Sequence, residues 1–160
     1  MLTDLRGQAR ASALITTSFQ LPRRPERQLR DPSLVRGLLA QWSGPAWRND
    51  PGFAEAAELY ALAMRIHSVS HLALENFRWQ VRSLPRPDGR RFARSVREPA
   101  RVPVLQLHGE LDTCVLPSTA RGSGRYVAGA YEWRELPGIG HFPQEEAPDV
   151  VSEAIADWSR

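Results

Sequence analysis

The feature that most constrains this chain is a short apolar run followed by a glycine and an acid. Residues 102–107 are mostly apolar and begin with a valine, which is typical of a strand buried on both faces of a parallel sheet. Gly109 allows the chain to turn sharply off that strand, and Asp112 follows just beyond its end. Because open α/β folds place their sites at the carboxyl ends of such strands, we predict that Asp112 lies at a functional edge of the sheet.

A histidine follows 29 residues later, after a second predicted strand at 131–136. Gly138 and Gly140 give this loop the freedom to direct the imidazole of His141 back to the sheet edge. Neighbouring strands lie about 5 Å apart, which brings the Asp112 carboxylate within reach of one ring nitrogen. The acid would orient the ring, and the histidine would act as general base toward a nucleophile or water. The pair therefore predicts the acid–histidine half of a catalytic triad.

The chain before residue 99 has helical spacing instead. Asp31-Pro32 and Asp50-Pro51 each combine a capping acid with a proline at the first helical position. Apolar periodicity predicts helices over 3–17, over 32–42, from Pro51 to about Met64, and from Ser68 or Ser70 to about Arg82. Prolines predict a loop at 20–25 and a break at 84–89.

The order of elements after residue 99 predicts a parallel α/β unit. A weak helix is expected over 118–127, because Gly122 and Gly124 loosen it, and a final helix is expected over 148–158. Strand, helix, strand and helix in this order normally form a right-handed parallel unit. The fold class expected from the pattern is therefore α/β in this part of the chain.

Composition limits the remaining classes of function. The 160 residues are 42% hydrophobic and 24% charged, with no apolar run long enough to span a membrane and no signal-peptide pattern. With one cysteine, Cys114, no intrachain disulfide is possible, which fits a reducing cytoplasm. All 21 basic residues are arginines and the net charge is +3. Since acids are interspersed and no nucleic-acid motif is present, we expect a solvated arginine surface rather than nucleic-acid binding.

Two motifs in the last third of the chain resemble those of the α/β-hydrolase family. At the acid strand the family commonly has P-V-L-x-L-x-G-x-x-D, and this chain has Pro103-Val104-Leu105, Leu107, Gly109 and Asp112. At the histidine the family has P-x-x-G-H-F-P-x-x-E-x-P, and this chain has Pro137, Gly140-His141-Phe142-Pro143, Glu146 and Pro148. The chain order of acid before histidine is also that of the family. The resemblance implies that residues 99–160 form the C-terminal part of such a core.

Residues 20–90 resemble, more loosely, the helical cap that epoxide-hydrolase-like members insert before the acid strand. The segment Phe19-Gln20-Leu21-Pro22 is similar to the start of that cap. The resemblance implies a partial α/β-hydrolase fold in two parts. A helical cap-like region with its lead-in would occupy residues 1–98, and residues 99–160 would supply the last two parallel strands and the C-terminal helix. No metal or organic cofactor is implied.

The chain departs from the family pattern at two places. The family carries its nucleophile before the cap as G-x-S-x-G or G-x-D-x-G, and neither motif occurs here. Gly122-Ser123-Gly124 is not such a turn and lies after the acid. Epoxide hydrolases use two cap tyrosines, at positions that correspond here to Ser18 and Phe77. The expectation of epoxide opening is therefore weakened, and ester, lactone or haloalkane chemistry stays open.

Other side chains are weaker candidates. Trp42, Phe77 and Trp79 are candidates for substrate binding in an apolar pocket, although core packing explains them equally well. His67 and His71 could share a helix face as metal ligands do, but no acid stands at the spacing of a zinc motif, so we predict no metal site. Cys114 follows the acid, which is the wrong place for the family's nucleophile, and we expect a packing role for it.

The resemblance implies hydrolysis of a small apolar ester, epoxide or halide through a nucleophile–His–Asp triad, of which this chain contains Asp112 and His141. Two alternatives stay open. The chain could be a truncated, inactive fragment that needs a separate N-terminal hydrolase half, or self-associates, because a two-strand sheet leaves an open edge. It could also be a small-molecule binding protein without chemistry. Neither a nucleic-acid partner nor a membrane partner is expected.

Overall fold

The computed structural model of the protein describes residues 7, 8, 13 and 17–159. The first half of this part is helical, with α1 (Arg24–Leu29), α2 (Pro32–Trp42), α3 (Pro45–Arg48), α4 (Pro51–Arg65), α5 (His67–Arg82) and α6 (Pro87–Ser95). The second half contains β1 (Val104–Gly109), α7 (Pro117–Arg121), β2 (Tyr131–Leu136), α8 (Pro143–Glu146) and α9 (Pro148–Trp158). Short 3-10 turns occupy Ser18–Gln20 and Gly122–Tyr126. No helix among the described residues is both long and apolar enough to cross a membrane.

Two of the long helices begin with the same local signal. The Asp31 carboxylate accepts a hydrogen bond from the Ser33 amide at 2.9 Å, and the Asp50 carboxylate accepts one from the Gly52 amide at 2.8 Å. These are side-chain caps on amides that have no partner within the helix. A proline follows each acid, where its missing N–H costs nothing. The predicted starts of α2 and α4 are confirmed.

Two apolar clusters hold the helical half together. The larger one joins α2, α3 and α4, and its centre is the edge-to-face contact of Trp47 with Phe53, whose ring centroids are 5.2 Å apart. The smaller one joins Phe19, Leu29 and Leu74. Met64 packs against both clusters. The helices therefore form one packed body around a shared apolar interior.

A buried arginine connects α5 to the segment before α2. Arg78 is 3% exposed, and its guanidinium donates to the carbonyl oxygens of Phe19 at 2.9 Å and Leu21 at 2.7 Å. It also donates to the carboxylates of Glu26 on α1 at 2.5 Å and Glu75 at 2.9 Å. The hydrogen bond from Arg78 is the main cause that lowers the pKa of Glu26 to about 2. This ion pair fixes α1 and the preceding turn onto α5.

The described sheet consists of β1 and β2, which pair in parallel from Val104↔Tyr131 to Gly109↔Leu136. Because both strands run in the same direction, the loops after Gly109 and Leu136 leave the sheet at one edge. The prediction that β1 is buried on both faces is wrong for the described residues, in which Val104 to His108 are only half-buried. The two strands alone do not supply enough neighbouring surface to cover both faces.

Three short helices were not predicted from the sequence, and a proline explains each difference. Pro25, Pro45 and Pro87 stand in the first turns of α1, α3 and α6. Prolines favour such positions, yet these three lack the aspartate cap that makes the signal clear for α2 and α4. The predicted weak helix over 118–127 divides into α7 and a 3-10 turn. Most of the helix predicted over 3–17 lies outside the described residues.

Candidate active site

The loops after β1 and β2 bring an acid and a histidine into contact. Oδ2 of Asp112 lies 2.8 Å from Nδ1 of His141. The other carboxylate oxygen accepts the backbone amides of Cys114 at 2.8 Å and Val115 at 2.9 Å. Asp112 is 4% exposed, so three hydrogen bonds hold a buried carboxylate in one orientation. With Nδ1–H donating to Asp112, Nε2 is left as the ring nitrogen that can exchange a proton with another group.

Two glycines permit the close approach of these loops. A Cβ atom on Gly109 would lie 1.9 Å from the carbonyl oxygen of Gly140, so no larger residue fits there without moving the loop. Gly138 has a φ of +73°, a conformation that side chains other than glycine rarely adopt. Gly109 thus makes room for the His141 loop at the end of β1, and Gly138 provides the turn within that loop.

The end of α2 supports the histidine loop directly. The backbone amide of His141 donates to the carbonyl oxygen of Trp42 at 2.8 Å. The hydroxyl of Thr113, next to the acid, donates to the carbonyl oxygen of Gln41 at 3.2 Å. The helical half and both candidate catalytic loops are therefore joined by hydrogen bonds to one helix end.

Glu146 completes this junction with three backbone hydrogen bonds. Its Oε2 accepts the amides of Gly44 and Gly140, both at 2.8 Å, and its Oε1 accepts the amide of Phe142 at 3.0 Å. One carboxylate thus ties both residues beside His141 to the turn after α2. The sequence contained a signal for this role, because Glu146 belongs to the histidine motif, but its contact with Gly44 depends on tertiary structure.

Charge strengthens the acid–histidine contact. Burial raises the pKa of the Asp112 carboxyl, but the hydrogen bonds from His141 and the two amides outweigh burial and lower it overall. Burial lowers the pKa of the His141 imidazole, but the hydrogen bond to Asp112, with a smaller contribution from Cys114, raises it above its ordinary value. Both shifts favour a carboxylate beside an imidazolium. His141 therefore reaches its base form only after it loses a proton at a pH above the usual histidine range.

An apolar cavity of about 430 Å³ opens beside His141, between the helices of the first half and the two loops. Trp42 lines it, with its ring centroid 5.8 Å from that of His141. Phe77 lines it from α5 and packs against Phe19, at a centroid distance of 5.6 Å. Polar atoms are few along its wall. Its lining also includes Leu29, Val35, Leu38, Leu39, Tyr60, Met64, Leu74, Cys114, Phe142 and Gln144.

Three solved structures are similar to this chain in fold. One is a thermophilic esterase from Thermogutta terrifontis, with 21% identity, a TM-score of 0.63 and coverage of 86% of this chain and 48% of that one. Cfl2 from Burkholderia cenocepacia has 16% identity, a TM-score of 0.72 and coverage of 96% and 49%. ALR0039, an α/β-hydrolase candidate from Nostoc sp PCC 7120, has 23% identity, a TM-score of 0.72 and coverage of 93% and 49%. This chain has part of the α/β-hydrolase fold.

The partial α/β-hydrolase fold predicted from the sequence is thereby confirmed. The chain spans about half the length of each of the three similar structures. No family model matches it, and no curated protein matches it. At identities of 16 to 23% the likeness extends to the fold, and the epoxide-hydrolase-like branch stays a prediction.

Trp79 lies apart from the cavity beside His141. Its ring packs edge-to-face on Phe92 of α6, at a centroid distance of 4.9 Å. Positions two residues apart on a helix differ by about 200° in direction, so Trp79 and Phe77 face opposite sides of α5. The structure thus brings Trp42 and Phe77 to the cavity beside His141, and it does not bring Trp79 there.

A second histidine contacts the same carboxylate. Nε2 of His108 lies 3.4 Å from Oδ2 of Asp112 and 2.9 Å from the carbonyl oxygen of Val115. Its ring stacks on Trp133 of β2, with centroids 5.4 Å apart. The sequence offered a weak signal, since His108 stands one residue before Gly109 on the acid strand. His108 therefore supports the position of Asp112 from the sheet side.

Of the remaining candidates, Cys114 lies at this site, whereas His67 and His71 lie apart from it. Cys114 is buried, and it lines the cavity next to His141. His67 and His71 stack with centroids 6.4 Å apart beside α1, away from Asp112. Among the described residues, no group of three or more His, Cys, Asp or Glu side chains is placed to hold a metal ion.

Proposed function

We propose that this chain contributes the acid and the base to hydrolysis of a small apolar ester, epoxide or halide. The observation that carries the proposal is the 2.8 Å contact between Asp112 and His141 at the wall of an apolar cavity. Asp112 orients the ring and stabilises the imidazolium, and Nε2 of His141 accepts the proton of the attacking group. That group is either a serine hydroxyl or the water that hydrolyses an aspartyl ester.

We place the nucleophile outside these 160 residues. Neither G-x-S-x-G nor G-x-D-x-G occurs in the chain, and the similar structures are about twice as long. Within the residues that the structure describes, β1 pairs with β2 on one side only. That free edge is an argument for a second polypeptide segment. The segment would add strands beside β1 and bring its nucleophile toward Nε2 of His141.

An ester is the substrate that the contacts favour. The cavity is lined mainly by apolar side chains, which suits an acyl or alkyl group of a few carbon atoms. Opening of an epoxide needs a proton donor above the ring. Tyr60 lines the cavity, but its hydroxyl donates to the Glu145 carboxylate at 2.7 Å, and this bond is the main cause that raises the pKa of Tyr60 to about 12. A phenol held in this way is a poor donor to an epoxide oxygen.

The test has a genetic and a kinetic step. We expect the coding DNA upstream of Met1 to encode a strand followed by Gly-x-Ser-x-Gly or Gly-x-Asp-x-Gly. Co-expression of that segment with this chain should give turnover of aryl esters. His141→Ala should then lower kcat by about 10²- to 10⁴-fold, because general base catalysis contributes that much. Absence of the segment, or unchanged turnover with His141→Ala, would refute the proposal.

A small-molecule binding protein is the second candidate, because the 430 Å³ cavity is lined mainly by apolar side chains and could hold an apolar ligand without chemistry. This function predicts saturable binding of an apolar fluorescent ligand by the chain alone. Phe77→Ala should weaken binding, whereas His141→Gln should leave the affinity nearly unchanged. Binding with this pattern, together with no turnover in the co-expressed pair, would favour the second candidate over the first.

A further inference from the structure

Two rows of basic side chains face each other across the outer surface of the helical half. Arg27 lies on α1, and Arg23 and Arg30 are the residues directly before and after that helix. His67 and His71 stand one turn apart at the start of α5. All five side chains are exposed. Together with Glu26 they line a surface cavity of about 300 Å³, which we call the basic groove.

The groove presents hydrogen-bond donors. Nη2 of Arg30 lies 2.7 Å from Nδ1 of His67. Because a guanidinium only donates, Nδ1 of His67 accepts, and the proton of a neutral His67 ring is on Nε2. Nδ1 of His71 lies 3.6 Å from Oε1 of Glu26. The two imidazoles are nearly parallel, with an interplanar angle of 9°. Guanidinium and imidazole N–H groups from two helices thus surround one space.

The positive charge of the groove is not balanced by its own acid. Glu26 is the one carboxylate along the lining, and it is already paired with the buried guanidinium of Arg78. Arg23 and Arg27 form no ion pair with the residues that the structure describes. Two guanidiniums therefore remain available to an external anion, and Arg30 stands beside them.

The backbone of Arg23 adds an independent observation. Its φ is +59°, and among the described residues it is the one non-glycine residue with a positive φ. This conformation costs on the order of 1 kcal/mol for a residue with a Cβ atom, and such strain often marks ligand-binding positions. Arg23 lines the same groove as Arg27 and Arg30.

We propose that the basic groove binds a phosphate group, as inorganic phosphate or as a phosphate monoester. A tetrahedral dianion offers several acceptor oxygens in different directions, which matches donors that arrive from both α1 and α5. A carboxylate has two oxygens in one plane and would satisfy a single guanidinium. The basic groove and the cavity beside His141 are separate sites. Helix α1 contributes Leu29 to the cavity and Arg27 to the groove. The proposal is therefore independent of hydrolysis.

Titration of the chain with inorganic phosphate, followed by the ring signals of His67 and His71 in NMR spectra, tests this proposal. We expect saturable shifts with phosphate, and smaller ones with chloride or succinate at equal ionic strength. Arg27→Gln should weaken phosphate binding by about tenfold or more, since a charge-assisted hydrogen bond is lost. Arg90→Gln is the matched control, because Arg90 is an exposed arginine on α6, and it should change nothing.

Equal shifts with phosphate and chloride would show ordinary ion screening and overturn the proposal, as would tighter binding of succinate. Unchanged affinity in Arg27→Gln would also overturn it. If Arg27→Gln fails to fold by circular dichroism, Arg23→Gln replaces it. Vesicles that contain phosphatidic acid provide one further arm. Competition between these vesicles and free phosphate would support the groove and identify a lipid headgroup as one source of the ligand.

Discussion

The helical half and the strand half of this molecule each contain a buried acid paired with a base, but the two bases differ in what they leave free. In the helical half, the guanidinium of Arg78 is buried, and its donors contact two carboxylates and two carbonyl oxygens. In the strand half, Asp112 is buried, while the side chain of His141 is 30% exposed and lines a cavity. In the first pair, structural hydrogen bonds occupy the donors of Arg78. In the second pair, Nε2 of His141 remains available.

This difference predicts that the first contact serves stability and that the second leaves a side chain free for chemistry. Arg78 connects α5 with α1 and with the turn at Phe19, so its loss disturbs several segments at once. His141 contacts Asp112 through one nitrogen, and its loop is held independently by Glu146 and by Trp42. We therefore expect a substitution at His141 to have a limited effect on the fold. The following three changes test this distinction.

The largest effect on stability is expected for Arg78→Met. It leaves Glu26 as a buried carboxylate without its partner, and such a loss typically costs about 3–5 kcal/mol. The free energy of unfolding, measured by urea denaturation, should fall by that amount, whereas His141→Gln should cost far less. The double variant Glu26→Gln, Arg78→Met should recover part of the loss, since no uncompensated charge remains. Equal costs for Arg78→Met and His141→Gln would contradict the distinction.

The strand half of the fold was more predictable from the sequence than the helical half. β2 and α9 have the predicted bounds, because alternation and helical spacing were both regular there. α1, α3 and α6 were not predicted, because Pro25, Pro45 and Pro87 indicate either a loop or a helix start, and no aspartate cap decides between them. β1 begins two residues later than predicted, after Pro103, which has no amide to give to a strand partner.

The candidate site was predictable as far as it depends on the order of strands. Parallel strands bring their carboxyl ends to one edge, so the contact between Asp112 and His141 follows from sequence order, while their catalytic roles stay predictions. The contact of Glu146 with Gly44 joins residues 102 positions apart, and no local pattern encodes it. Helix geometry already separates Trp79 from Phe77 on α5, but the contact of Trp79 with Phe92 of α6 depends on tertiary structure. Tertiary packing decided these features.

An intermediate effect is expected for Glu146→Gln. Glutamine replaces one acceptor oxygen by an NH₂ group, which faces backbone amides that also donate. The loss of charged hydrogen bonds should lower the free energy of unfolding by roughly 2 kcal/mol. Because Gly140 and Phe142 flank His141, amide exchange in that loop should also become faster. Glu153→Gln, on the exposed side of α9, is the matched control and should change neither quantity. Unchanged exchange in Glu146→Gln would argue against a positioning role for Glu146.

The smallest effect, on the order of 1 kcal/mol, is expected in the dependence of stability on pH, because a partly exposed ion pair is weakened by solvent. Asp112 raises the pKa of His141 in the folded state, so protonated His141 stabilises the fold. That contribution is complete below the unfolded value, about 6.5, and is lost as the pH rises through the higher folded value. Urea denaturation between about pH 6.5 and 9.5 should therefore show falling stability, below the range in which Tyr60 ionises.

The two pairs should separate along the pH axis. His141→Gln should flatten the alkaline decline and leave the loss of stability between about pH 4.5 and 2, where Glu26 takes up its proton, largely in place. Arg78→Met should reduce the loss of stability at acid pH and leave the decline at alkaline pH in place. Asp112 also has a lowered pKa, so His141→Gln removes a small part of the loss of stability at acid pH as well. An alkaline decline that persists in His141→Gln would show that another group titrates there, and that the pair with Asp112 does not hold the proton.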